Sequence, residues 1–421
     1  MIKKNDNRFI VSWCLYDLAN SCFSAVILTF VFSTYFTTKI APTQIIGTSY
    51  WSFAMTVSGL LLAVFAPLFG CWLEKVQCKK AILLWLTYGC ILATALLFFA
   101  KPAASWLWFA LIFVIIAQLC YELGLVVYNS LLTLVKDREK LGRISGWGWG
   151  AGYIGGLIVL AICLFFIEGG FVSKVDALNA RMSTLVCAVW FFLFSAPLLL
   201  LLPSKMGVSL SAQHSVTTYL QSIKTTFVEI YQRKNLFWLM LARLFIMDGL
   251  NTLFAFGGIF AAGTFGFSLS QVMYFAILLN VTAGIGAFVL GWVDDFISPL
   301  FVIMFSLVCL IAFIVAVTLT HSVTVFWVLG AAIGFFIGPV QSSTRSFLVR
   351  QLANDDPYRF FGFYSLSGKI SAFFGPMMFG LLTAWFHSHT RRLKIPSQLH
   401  CWWASFVPTL ILCYRSLLPA Y

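Results

Sequence analysis

The sequence predicts an all-α polytopic membrane protein made of two six-helix bundles related by pseudo-two-fold symmetry. Three observations carry that expectation. The 421 residues are 61% hydrophobic and only 10% charged, against about 25% charged in a soluble domain. The apolar residues gather in runs long enough to cross the ~30 Å hydrocarbon core, which takes about 20 helical residues. A polar word, D-x-x-N-[ST], stands inside two of those runs, at Asp17-Leu18-Ala19-Asn20-Ser21 and at Asp248-Gly249-Leu250-Asn251-Thr252.

The runs at 9–38, 48–73, 81–100, 104–134, 147–168 and 183–202 are expected as spans 1 to 6. Those at 236–262, 270–296, 299–320, 322–350 and 359–386 are expected as spans 7 to 11, with a twelfth span in doubt. Lys3, Lys4 and Arg8 before an apolar stretch resemble a signal peptide. The stretch is too long for one and Asp17 interrupts it, so it reads as an uncleaved first span. The net charge of +13 is spread over short loops rather than gathered in a patch. That is the pattern of membrane topology and gives no reason to expect a nucleic-acid partner. Lysines and arginines follow spans 2, 4 and 6, at Lys75, Lys79 and Lys80, at Lys136, Arg138, Lys140 and Arg143, and at Lys205, Lys224, Arg233 and Lys234. The positive-inside rule then places the N-terminus in the cytoplasm of a multi-pass inner-membrane protein.

The longest loop, 203–235, carries Tyr219, Leu220, Ile223, Phe227, Ile230 and Tyr231 at helical spacing, so an amphipathic helix on the inner membrane surface is expected. It divides the chain into bundles 1–202 and 236–421. Further echoes join the repeated polar word. Gly70-x-x-x-Glu74 ends span 2 and Gly291-x-x-x-Asp295 ends span 8. Arg143-x-x-Gly146 opens span 5 and Arg359-x-x-Gly362 opens span 11. Together they describe a parallel repeat of six spans, as in the two halves of major-facilitator transporters.

A carboxylate at the centre of a spanning helix costs roughly 2.5–3.5 kcal/mol, so each one asks for a reason. Asp17, Asn20 and Ser21 share one helix face, as do Asp248, Asn251 and Thr252. These faces either line a solute cavity or clasp helices together by hydrogen bonds. Glu122 in span 4 shares a face with Gln118 and Asn129, flanked by Tyr121 and Tyr128. It is the candidate for proton exchange, or else half of a buried ion pair. The matching place in the second half is Gly338, so Glu122 has no counterpart. Arg243 in span 7 and Lys369 in span 11 are the expected core cations. Three acids against two bases leave one negative charge to be met by a proton, an ion or a cationic solute group.

Glycines crowd span 5 (Gly146, Gly148, Gly150, Gly152, Gly155, Gly156) and span 11 (Gly362, Gly368, Gly375, Gly380), which suits close helix approach. The aromatics are expected mostly at the lipid face or the interfaces; a stacking role for Trp147 or Trp149 is open but has no support in the sequence. The eleven cysteines are scattered and lack a C-x-x-C, which argues against a zinc or disulfide framework. The five histidines fall in loops or the tail, and no H-E-x-x-H, P-loop or G-x-S-x-G is present. Neither an enzyme activity, a metal nor a cofactor is expected.

Three motifs in order carry a family resemblance. The stretch Trp13-Cys14-Leu15-Tyr16-Asp17-Leu18-Ala19-Asn20-Ser21 resembles W-x-x-Y-D-x-A-N-S, the opening of the vacuole-effluxer-like family in the major facilitator superfamily. Gly338-Pro339-Val340-Gln341-Ser342-Ser343-Thr344-Arg345-Ser346 is similar to its G-x-V-Q-x-x-x-R-S. Phe360-Phe361-Gly362-Phe363-Tyr364-Ser365-Leu366-Ser367-Gly368-Lys369 is similar to its F-F-G-F-Y-x-L-S-G-K. The resemblance covers roughly residues 9–386. It implies a twelve-helix major-facilitator fold and small-solute transport, with amino-acid release from vacuoles associated with the fungal members.

Two departures stand out. The gating loop after span 2 keeps its charges, Gly70-x-x-x-Glu74-Lys75, but loses the second glycine of the superfamily pattern. After span 8 the chain reads Asp294-Asp295-Phe296-Ile297-Ser298-Pro299 without a basic residue, which predicts a weakened charge latch there. The tail from His387 is also aberrant. It carries Arg391, Arg392 and Lys394 where an outer loop is expected, and its last apolar run, Trp402 to Tyr414, contains Pro408. At 1.5 Å per residue that run reaches about 20 Å, short of the ~30 Å core.

The residues together predict a monomeric secondary transporter for a small polar solute, amino acids first, working by alternating access with proton coupling. A lipid-handling, scramblase-like protein and a transporter impaired by a degraded last span are the competing readings. If the tail is out of frame, translating its gene in the other frames reveals a better apolar span after residue 387. Finding none there removes that idea.

Overall fold

The computed structural model describes residues 7–169, 172–204, 206, 216–352 and 355–370. Lys205, the second half of span 11 and the tail from His387 lie outside the described residues. Among the described residues all the regular elements are helices. Span 1 is Asn7–Ile40, span 2 Gln44–Lys75, span 3 Lys79–Phe99, span 4 Ala104–Leu134, span 5 Arg138–Glu168 and span 6 Val175–Leu201. Span 7 is Lys234–Phe265, span 8 Leu269–Phe296, span 9 Pro299–Leu319 and span 10 Val323–Gln351. Residues 357–370 begin span 11.

Nine of the helices in the described residues are long and apolar enough to cross a membrane. Large apolar side chains stand on their outer sides, among them Leu60, Trp85, Leu92, Ile112, Ile154 and Leu200. A surface of that kind is unfavourable in water and belongs against lipid.

Local chemistry sets the helix starts. Thr43 caps span 2 by accepting from the Ile46 amide. Ser268 and Gln271 form a reciprocal capping box at span 8. Ser298 caps span 9 and Pro299 takes its first turn, where a missing N–H costs nothing. Span 1 changes character along its length. It is α-helical over Asn7–Cys22, then π-helical over Phe23–Phe30 and Phe36–Ile40. The wider turns show in bonds of Val31 N to Val26 O at 3.1 Å and Ala41 N to Phe36 O at 3.0 Å.

The chain resolves into two compact units. One comprises Met1–Lys136 and Ala151–Gln213, the other Asp137–Gly150 and His214–Tyr421. The division expected from sequence differs at the first part of span 5 and at the linker helix, both of which group with the second unit. In the second unit, a Cβ on Gly146 would stand 2.2 Å from the Ala287 carbonyl oxygen of span 8. In the first, a Cβ on Gly155 would stand 2.3 Å from the Leu18 carbonyl oxygen of span 1. Only glycine permits backbones this close.

Not all the aromatics stand on the outer sides. Trp13, Tyr16, Phe23, Phe32, Phe36 and Tyr128 are buried in the first unit. Phe23, Phe32 and Phe36 pack on other rings, and Trp13, Tyr16 and Tyr128 also hydrogen-bond inside the unit. Trp147 stacks on Phe288 of span 8 at 5.9 Å. The described cysteines are free thiols. Two of them, Cys22 of span 1 and Cys187 of span 6, meet with sulfurs 3.2 Å apart.

The linker forms a helix over Val216–Gln232. Thr226 and Ile230 are buried, whereas Lys224, Phe227, Val228 and Tyr231 are exposed. Arg233 fastens its end, pairing with Glu229 at 2.7 Å and through both terminal nitrogens with Asp355. Arg359 of span 11 pairs with the other oxygen of Glu229 at 2.8 Å. The Arg233 guanidinium holds the Asp355 carboxyl below the usual carboxylate range. A depressed pKa contributes stability above the unfolded value of about 3.9, lost as pH falls through the folded value. Partly exposed pairs contribute about 0.2–1 kcal/mol. The Arg233→Gln variant is therefore expected to melt about 1–3 °C lower near neutral pH, with the difference closing below pH 4. A difference that does not shrink as pH falls below 4 contradicts the assignment.

Candidate functional site

In the first unit, spans 1 and 4 each carry a buried carboxylate–amide pair. Asn20 donates its amide to the Asp17 carboxylate at 3.3 Å. Gln118 donates to the Glu122 carboxylate at 3.4 Å. All four are more than nine-tenths buried. Tyr121, beside Phe23 with ring centroids 5.1 Å apart, lies within electrostatic reach of both Glu122 and Asp17. The i, i+3 and i, i+4 spacings of the sequence therefore produce two carboxylate–amide pairs in one neighbourhood. Ser21 is different. Its hydroxyl donates to the Asp17 carbonyl of its own helix at 2.8 Å and lies against Gly152 of span 5.

The second unit has its own polar groups. Asp248 is buried in span 7, with Asn251 partly buried one turn on. Arg243, one turn before Asp248, lies over the Tyr364 ring of span 11 at 3.4 Å and donates to the Tyr364 carbonyl at 3.2 Å. Lys369 is partly buried further along span 11.

At the end of span 8, Asp294 and Asp295 find partners within the second unit. Asp295 accepts from the Gly142 and Arg143 amides at 2.7 and 3.0 Å and from the Arg143 side chain at 2.7 Å. Arg350 of span 10 reaches Asp295 at 2.9 Å and Asp294 at 3.1 Å, and Ser346 donates to Asp294 at 2.6 Å. The cations come from spans 5 and 10 rather than from the loop itself, so neighbours in sequence could not show them. Asp295 also receives two amides at the first turn of span 5, where the helix dipole favours an anion. In the first unit, Gly70 is buried and Glu74 and Lys75 are partly buried at the end of span 2.

Sequence reading missed Arg345. It is buried in span 10 and donates to the Ser145 hydroxyl at 2.9 Å and the Ser145 carbonyl at 2.8 Å. Ser145 passes its own proton to the Ser342 carbonyl at 2.8 Å. The signal was present in the motif Gln341 to Ser346, where an arginine sits among hydroxyl residues. Among the described residues no group of three or more His, Cys, Asp or Glu is arranged to hold a metal ion.

Comparison with solved structures defines the class. The proton:xylose symporter XylE superposes with a TM-score of 0.73 over 97% of this chain and 95% of its own, at 14% identity. The transporter FucP, in the outward conformation, superposes with a TM-score of 0.75 over 97% of both chains, at 11% identity. The fold is that of the major facilitator superfamily. The family described as vacuole effluxer Atg22 like matches residues 35–391, and the chain belongs to it. An uncharacterized MFS-type transporter, YxiO of Bacillus subtilis, is 25% identical over 87% of this chain and 86% of its own. Autophagy-related protein 22-1 of Penicillium rubens is 25% identical over 57% of this chain, which spans 44% of that fungal protein.

The Asp294–Asp295 cluster generates a stability prediction. Removing one partner of a buried ion pair costs about 3–5 kcal/mol. Arg350→Met is expected to destabilise by that order, and adding Asp294→Asn to recover part of it. Additive effects of the two changes in thermal unfolding would contradict a shared network.

Proposed function

We propose that this chain is a secondary active transporter of the cell inner membrane. It moves a small polar solute, amino acids first, by alternating access, and it exchanges a proton at Glu122. The observation that carries the reading is that two carboxylate–amide pairs, Asp17–Asn20 and Gln118–Glu122, are buried in spanning helices of one unit. Magnitudes favour function over a structural clasp. Each carboxylate costs roughly 2.5–3.5 kcal/mol in a spanning helix. An interhelical hydrogen bond in a membrane returns only about 0.6–2 kcal/mol, and uncharged amides or hydroxyls would supply it without the cost.

Each group has a role. Asp17 and Asn20, with Ser21 beside them, present hydrogen-bonding groups to solute, and Gln118 orients the Glu122 carboxylate. Glu122 lacks a counterpart in the repeat, which suits a task performed once per cycle. A zwitterion needs an anion for its ammonium group and a cation for its carboxylate. The second unit offers both in Asp248 and Lys369, with Asn251 beside the first and Arg243 as structural cation. The acidic residues at the ends of spans 2 and 8, Glu74 and Asp294–Asp295, act in gating with Gly70 and Lys75.

The relatives support a transporter. One is named an MFS-type transporter, and the family is described as an effluxer.

A thermal-shift screen against amino acids, peptides, sugars and nucleosides tests the solute class. A specific amino acid is expected to raise the melting temperature, and Asp17→Asn and Lys369→Met to abolish the rise. A response to lipid headgroups alone would overturn the reading in favour of lipid handling. Coupling is tested in vesicles. With one proton per solute, one pH unit sustains about tenfold accumulation. Glu122→Gln is expected to equilibrate solute without that accumulation, and a wild-type protein indifferent to the gradient excludes coupling.

A further inference from the structure

The polar half of the W-x-x-Y-D-x-A-N-S stretch enters the proposed solute site, whereas its aromatic half does not touch it. Trp13 and Tyr16 instead grip a single residue of span 4. The Trp13 indole N–H donates to the Tyr128 carbonyl at 3.3 Å, and the Tyr128 hydroxyl donates to the Trp13 carbonyl at 2.9 Å. Their rings stack with centroids 4.8 Å apart and planes 14° apart. Tyr16 stacks on the same Tyr128 ring at 4.7 Å and 20°. The Tyr16 hydroxyl in turn meets Thr87 of span 3 at 2.8 Å. The Thr87 proton is spent on the Leu83 carbonyl at 2.7 Å, so Tyr16 is the donor. All three aromatic side chains are buried.

A reciprocal pair of side-chain-to-backbone bonds differs from ordinary packing. It fixes the sliding position of two helices as well as their separation, because each bond ends on a particular carbonyl. Two further contacts join the same two helices. Tyr16 lies beside Gly124, and Phe23 lies beside Tyr121. The rungs Trp13–Tyr128, Tyr16–Gly124 and Phe23–Tyr121 run antiparallel. Asp17 and Asn20 fall between the second and third rungs on span 1, as Glu122 does on span 4.

We infer that Tyr128 is a positioning residue: through its clamp on Trp13 and Tyr16 it sets the register of span 1 against span 4, and so brings Asp17 and Glu122 to one level. The inference rests on the proposed role of those two carboxylates, but its test needs no solute. Dicyclohexylcarbodiimide, an apolar reagent that couples to protonated carboxyl groups, is applied to the full chain in detergent, and labelling at Asp17, Glu122 and Asp248 is read by peptide mass spectrometry. Asp248 belongs to the other unit and reports general unfolding.

An aromatic stack is worth a factor of about three to ten in an equilibrium. Tyr128→Leu is expected to change the ratio of Glu122 to Asp17 labelling by a factor of that order, with Asp248 unaffected. Tyr128→Phe keeps the stack and the Trp13 bond and is expected to restore most of the wild-type ratio. Tyr88→Leu removes a comparable stack, on Phe192 of span 6, 5.7 Å between centroids and made by neither span 1 nor span 4, and is expected to leave the ratio unchanged. An unchanged ratio in Tyr128→Leu overturns the inference. A parallel rise at all three carboxylates also overturns it, by assigning Tyr128 to general stability. A negative amino-acid screen alongside a shifted ratio would overturn the solute assignment and leave the clamp standing.

Discussion

A charge placed at hydrocarbon depth must be given partners, and that constraint organises both units. In the first, Asp17 and Glu122 each receive an amide donor from one turn away on the same helix. In the second, Asp294 and Asp295 collect donors from the start of span 5 and the end of span 10. The two arrangements differ in reach. Asp17 and Glu122 accept from amides on their own helices, whereas Asp294 and Asp295 draw partners from two other spans.

Periodicity made the spans legible because a bilayer demands long apolar runs and tolerates few exceptions. It also put Asp17 with Asn20 and Gln118 with Glu122, since bonds one helical turn apart follow from spacing alone. Bonds between helices were not legible. The partners of Asp294 and Asp295 come from Arg143 and Arg350, remote in sequence, and a reading confined to the neighbouring loop found the site short of cations. Arg345 was hidden for the same reason, because its acceptor is Ser145 of another span. The grouping of residues 137–150 with the second unit depends on backbone contact at Gly146. Glycine richness announces close approach but does not name the partner.

The aromatic residues show a further limit of composition. A high aromatic content in a membrane protein suggests interfacial anchors. Yet Trp13, Tyr16 and Tyr128 are fully or almost fully buried and spend their polar atoms on each other's backbone and on Thr87. Their spacing in the sequence is that of an ordinary helix face. Only the presence of Tyr128 opposite them turns three anchors into a clamp.

Beyond Cys22, span 1 is built in another way. Its hydroxyl residues turn back on their own helix: Ser24 to the Ser21 carbonyl, Thr29 to that of Ser24, Ser33 to that of Thr29, and Thr34 to that of Phe30. Carbonyls shared between an amide and a hydroxyl hold each weakly, and such sharing bends helices. The π-helical turns loosen the ladder further. Span 1 thus joins a rigid segment, gripped at Trp13 and Tyr16, to a compliant one whose bonds exchange at little cost. Force applied to this helix is absorbed as curvature past residue 22, and the carboxylate at Asp17 keeps its height while the chain above it flexes.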